Sequence, residues 1–273
     1  MSLRINQNPA AINAYRNLFQ TQNMMGKSLE KLSSGYRINR AADDAAGLVK
    51  SESLRTEIRG YQAAVRNAQD GISFVQVAEG ALNEVHSILQ RMRELAVDAA
   101  NTATTDGVAQ QAEVSELLDE LDNIGSRSKF AGNDVFQDYS SSALTFHVGA
   151  NSGETIEIGQ DLGLASDNVF GEDLSAIDLS DDADAALADI DAAIDAVSDG
   201  RATLGATQNR FEHTINNLSV AVENLSASES RIRDTDMALE MVSFTRHQIM
   251  SQAATSMLAQ ANVAPQSVLA LLQ

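Results

Sequence analysis

The stretch LADIDAAIDAVSDGRATLGATQNRFEHTINNLSVAVENLSASESRI, residues 187–232, decides the fold. Leu187, Ile190, Ile194, Val197, Arg201, Leu204, Gln208, Phe211, Ile215, Leu218, Val222, Leu225, Glu229 and Ile232 follow one another at alternating steps of three and four, without a slip. That spacing is the seam of a coiled coil. Only Arg201, Gln208 and Glu229 are polar; such positions lower stability and help fix register. No proline interrupts the run, so it predicts a rod about 70 Å long. One apolar seam cannot hide itself, and the rest of the chain must supply its partner.

Working outward, Asn8-Pro9 opens a first helix, Asn8 as cap and Pro9 in the first turn. Tyr15, Leu18, Gln22, Met25, Leu29 and Leu32 keep the three–four spacing until Ser33-Ser34-Gly35 stops it. YRINRAADDAAG then reads as a bent or extended connector. A longer helix is expected from about residue 44 to 101. Its stripe runs Leu54, Ile58, Tyr61, Val65, Ala68, Ile72, Val75, Leu82, Val85, Leu89, Met92, Ala96 and Ala99. Gly60, Gly71 and Gly80 lie inside it, each costing up to about 1 kcal/mol against alanine; close approach of another helix explains them. NTATTDG is a turn, and a third helix is expected over 108–127. LTFHV and TIEI alternate with period two around GANSGE, a β-hairpin signature. Asp234 and Asp236 break the rod from a last segment that is apolar on nearly every side. A helix apolar all round is buried all round. The first helix is its only spare partner, so its remaining surface is expected to meet other copies. The expected fold is mainly α: a long coiled-coil rod or bundle built by the N- and C-terminal halves, with one small β-hairpin region.

Composition agrees with thin helical packing. Aromatics are 4% of the 273 residues, tryptophan and cysteine are absent, and the two prolines, Pro9 and Pro265, sit near the ends. Without cysteine there are no disulfides or thiolate metal sites. The net charge of −19 argues against nucleic-acid binding. The acidity is concentrated in the middle, while residues 237–273 hold only Glu240 and Arg246. The first residues lack the apolar core of a secretory signal, and no run is apolar for the ~20 residues of a membrane span. Any exit from the cell is expected to need no cleaved leader.

No catalytic, metal or cofactor constellation emerges, and no cofactor is expected. His86, His147, His213 and His247 are scattered, none pairing at metal spacing. His86 lies near an apolar stripe and reads as structural. The aspartates between 178 and 199 lack a calcium-loop pattern; they read as a solvated helix face.

NPAAINAYRNL, KSLEKLSSGYRINRAADDAAGL, LQRMRELAVDAAN, LGATQNRFEHTINNL, SASESRIRDTDMALEM and QAATSMLAQANVAPQSVLALL, in that order, resemble bacterial flagellin at both ends of the chain. The intervening linker is short, so the chain looks like a flagellin without separate outer domains. The resemblance implies a structural subunit, not an enzyme, that polymerises into the flagellar filament for swimming; the alternative is a hook–filament junction or other axial protein. It implies a discontinuous inner domain, 1–44 with 236–273, and a rod domain, 45–235, with the β region at about 130–176. Filament-core packing would fall to Leu18, Met25, Leu29, Leu32, Met257, Leu258, Val268, Leu269 and Leu272. The implied partners are other copies, a secretion chaperone, the type III export apparatus, and junction and cap proteins. The implied location is the extracellular flagellum, with no membrane insertion. LQRMREL resembles the patch sensed by a vertebrate Toll-like receptor. That match places Gln90, Arg91 and Leu95 in the footprint, with Glu113 from the next helix. The hairpin is the candidate switch between filament forms.

Overall fold

The computed structural model describes residues 8–101, 107–137, 143–158, 162–165, 168–175, 177–179 and 183–271, the last eight of these as helix backbone only. Its helices are α1 (Pro9–Ser34), α2 (Ala45–Ala99), α3 (Val108–Arg127), α4 (Ala183–Arg233) and α5 (Met237–Leu271). Six short strands pair as three antiparallel two-stranded sheets: β1 (Lys129–Phe130) with β2 (Asn133–Asp134), β3 (Leu144–His147) with β4 (Thr155–Ile158), and β5 (Leu164–Ala165) with β6 (Asn168–Val169). The chain divides into two compact units: residues 1–56 with 224–273, and residues 57–223.

In the first unit α1 and α5 pair. The Asn8 side chain accepts the Ala11 N–H at 3.1 Å, capping α1. The same side chain donates to the Ala261 carbonyl at 2.7 Å. At the other end of α1, Lys31 approaches Glu240 at 3.7 Å. The helices are therefore antiparallel. Gly35 ends α1 in the left-handed conformation (φ 75°), its N–H donating to the Lys31 carbonyl.

The seam keeps Leu18, Met25 and Leu32 of the predicted stripe but shifts by one residue at Tyr15, Gln22 and Leu29. Ala11, Ala14, Leu18, Thr21, Met25, Ser28 and Leu32 turn inward, while Tyr15 is 62% exposed and Leu29 is exposed as well. Phe244, His247, Ser251, Ala254, Leu258 and Ala261 face them from α5. Small residues occupy every second layer because two helix backbones that approach closely leave no room there for a tyrosine or leucine.

The connector is tied to the α4–α5 junction. Arg37 N–H donates to the Arg233 carbonyl at 2.7 Å and Thr235 N–H to the Gly35 carbonyl at 2.9 Å. Arg233 lies over the Tyr36 ring at 4.8 Å and donates to Glu52 at 2.8 Å. That hydrogen bond holds the Glu52 carboxyl below its usual range. As the sequence predicts, the aspartates separate two helices: Asp236 accepts the N–H groups of Ala238 and Leu239, capping α5.

In the second unit α2 and α4 run antiparallel, as the pairs Arg93–Asp191 (2.6 Å) and Glu79–Arg201 (3.8 Å) require. α4 buries Ala186, Ile190, Ala193, Val197, Gly200, Leu204, Thr207 and Phe211. Leu187, Ile194, Arg201, Gln208 and Ile215 are only half-buried beside this line. The predicted polar seam positions Arg201 and Gln208 thus sit on the flank, and Gly200 and Thr207 take the central places. This side buries a face wider than a two-stranded seam because α3 and the strands add to its partners.

Gly71 lies against the Phe211 ring of α4, as a close helix approach demands, but Gly60 faces Ala150 beside the hairpin, and Gly80 meets nothing. β3 and β4 form the predicted hairpin, Leu144 opposite Ile158. Phe146 docks it onto the helices, with its ring centroid 5.9 Å from Phe74 and 5.4 Å from Phe211. Gln111 of α3 holds the linker ahead of α4, donating to the Ile177 carbonyl and accepting the Leu179 N–H.

Candidate assembly surface

Small side chains take part of the seam between α1 and α5, and several large apolar ones are left outside it. On α1, Ile12, Tyr15 and Phe19 are each more than half exposed and share one face by their spacing. α5 exposes Leu239, Met250 and Met257 on one stripe and Val242 and Ile249 on another. Among its described residues only Glu240 and Arg246 are charged. Exposed apolar stripes of this kind mark an interaction site. Among the described residues no group of three or more His, Asp or Glu could hold a metal ion, and no helix is long and apolar enough to cross a membrane.

Of the residues expected to pack the filament core, Leu18 is buried in the α1–α5 seam, and Met25, Leu32 and Leu258 are half-buried along it. Leu29 and Met257 are exposed. The side chains of Val268 and Leu269, and the whole of Leu272, lie outside the described residues. Sequence reasoning overlooked Ile12 and Phe19. With Tyr15 they form a second three–four stripe, legible once a helix is allowed two apolar faces.

The receptor-like patch divides differently. Gln90, Arg91 and Glu113 are exposed. Arg91 donates to Glu113 at 2.8 Å and pairs with Glu94 at 3.1 Å. These contacts, Glu113 foremost, push the guanidinium pKa further up. Gln90 shares a 2.9 Å hydrogen bond with His86. Leu95 does not share this surface: it is 7% exposed and belongs to the core.

Paired end helices with uncovered apolar faces, a helical second unit carrying small hairpins, and no reactive cluster among the described residues define a structural protein of the self-assembling helical class. The chain matches the bacterial flagellin N-terminal helical region over residues 5–141 and the bacterial flagellin C-terminal helical region over residues 187–272. It belongs to the flagellin family of structural proteins. It is 51% identical to a flagellin of Halalkalibacterium halodurans, covering 98% of this chain and 99% of that one. It is 47% identical to a flagellin of Bacillus subtilis, covering 99% and 100%. Its fold resembles a putative flagellar hook-associated protein of Vibrio parahaemolyticus, with TM-score 0.56 and 14% identity, over 70% of this chain and all of that one.

Proposed function

We propose that this protein is the bulk subunit of an extracellular flagellar filament, in which copies bury one another's α1–α5 surfaces. The observation that carries the reading is the exposure of Ile12, Tyr15 and Phe19 on α1 together with Val242, Ile249 and Met257 on α5. These side chains are left more than half exposed, and burying the remainder of each is worth about 1–2 kcal/mol. Residues 1–44 with 236–273 form the filament core in this reading, and 45–235 the rod domain. The hairpin at Leu144–Ile158 biases the filament between supercoiled forms; deleting it changes the waveform while assembly survives.

The same exposed α5 surface is what a cytoplasmic chaperone holds before type III export. Junction and cap proteins meet the ends of the polymer. Gln90, Arg91 and Glu113 supply the accessible part of a Toll-like receptor footprint, and Leu95 supports it from beneath.

The test is seeded growth of the purified protein, followed by light scattering and electron microscopy. Wild type forms filaments. Ile12→Ser with Phe19→Ser stays monomeric while its thermal unfolding matches wild type. A double variant that polymerises at the wild-type concentration refutes the reading.

A further inference from the structure

The methionines are unevenly placed. The chain has eight and no cysteine. Met92 is fully buried in the core of the second unit, and Met25 is half-buried in the α1–α5 seam. Met24, Met237, Met241, Met250 and Met257 all lie on α1 or α5 and are 45–63% exposed. Met241 and Met250 also line an open recess of about 480 Å³ with Val242 and Ile249. Unbranched, polarisable thioethers suit a surface that must fit irregular neighbours. They are also this unit's readiest targets for oxidants, since no thiol competes.

We propose that these five thioethers are an oxidation site controlling assembly: peroxide converts them to sulfoxides in the free subunit and makes it incompetent to polymerise, whereas the polymer shields them. In each step a sulfur lone pair attacks one peroxide oxygen. The S–O bond forms, the O–O bond breaks, and the proton on the attacked oxygen passes to the other oxygen, which leaves as water. Sulfur loses two electrons and the peroxide gains them. The product is a polar acceptor among exposed apolar side chains; on α5 only Glu240 and Arg246 are charged, and Thr245 and Arg246 are the donors at the Met241–Met250 recess. Burying it between copies strips its water wherever no such donor is in reach. The inference rests on the proposed function, because only burial between copies turns sulfoxide polarity into a loss of assembly.

The experiment oxidises purified monomer with hydrogen peroxide until mass spectrometry shows all five sulfoxides, removes the oxidant, and adds filament seeds. The critical concentration is expected to rise at least about tenfold, the effect of one buried polar group left unpaired. Methionine sulfoxide reductases restore growth. A variant with leucine at all five positions assembles equally well with and without peroxide. Preformed filaments given the same dose keep these methionines unoxidised. Fully oxidised protein that assembles at the untreated concentration overturns the inference and leaves the assembly reading intact. So does a leucine variant as peroxide-sensitive as wild type. If that variant does not grow untreated, reductase rescue of the wild type decides: recovery supports the inference and no recovery overturns it. Untreated wild type that ignores seeds ends both.

Discussion

Gly71 and Gly80 stand on the same helix, yet alanine should act oppositely at the two. At Gly71 a Cβ would lie 2.6–2.9 Å from Phe211 ring atoms. Real contacts are longer, so the ring must move. Phe211 is fully buried, and Phe146 packs edge-on against it at 5.4 Å. Moving the ring therefore disturbs the hairpin's attachment to α2 and α4. Overpacking of this kind costs about 1–3 kcal/mol. The gain in helix propensity returns about 1 kcal/mol, which leaves Gly71→Ala destabilised by about 0–2 kcal/mol. At Gly80 nothing lies within 4 Å of the added methyl. Only the propensity gain remains there, and Gly80→Ala should melt about 2–4 °C higher than wild type. The assay is thermal unfolding of the monomer by circular dichroism, at concentrations where no polymer scatters light. Gly71→Ala melting as high as Gly80→Ala would refute the wedging of Phe211 between α2 and the hairpin.

Leu95→Ala should lose about 2–5 kcal/mol of stability, since it empties a core position, so receptor signalling by that variant must be read beside its melting curve. Arg91→Ala leaves the melt within about 1 kcal/mol of wild type, and unchanged signalling by it counts against the receptor footprint. Arg233→Ala removes the Glu52 hydrogen bond and the cation over Tyr36; hydrogen exchange should quicken at Arg37 and Thr235 while the β3–β4 hairpin stays protected. Asp43 accepts the N–H groups of Arg40 and Asn39, which hold its carboxyl below the usual range, Arg40 contributing most. Because the folded pKa is the lower one, this stabilisation is complete above the ordinary Asp range. It is lost as pH falls below about 4 toward the depressed value. Amide exchange at Asn39 and Arg40 should accelerate over that window in wild type, and an equal acceleration in Asp43→Asn would rule the carboxylate out.

Much of the chain's local structure was legible in its residues. Asn8-Pro9 and Gly35 mark the ends of α1, Asp234 and Asp236 separate α4 from α5, and the alternation of LTFHV and TIEI marks the hairpin. Each depends on hydrogen bonds made within one turn of helix or between the two strands of one hairpin, so neighbours in sequence suffice. The last segment's apolar surface and the assembly it implies were also visible, because hydrophobicity on all sides is a property of composition.

What sequence could not choose was the side of each helix that faces inward. Three–four spacing leaves adjacent candidates, 14 or 15, 193 or 194, 200 or 201; hydrophobicity favours Ile194 over Ala193, and continuity of the repeat then selects Arg201 over Gly200. The tertiary structure took the smaller: Ala14, Ala193 and Gly200 lie inward of Tyr15, Ile194 and Arg201. The space between two backbones is set jointly by both helices, and no single stripe encodes it. The same choice turned Tyr15 outward beside Ile12 and Phe19, and drew Leu95 into the core, away from Gln90 and Arg91.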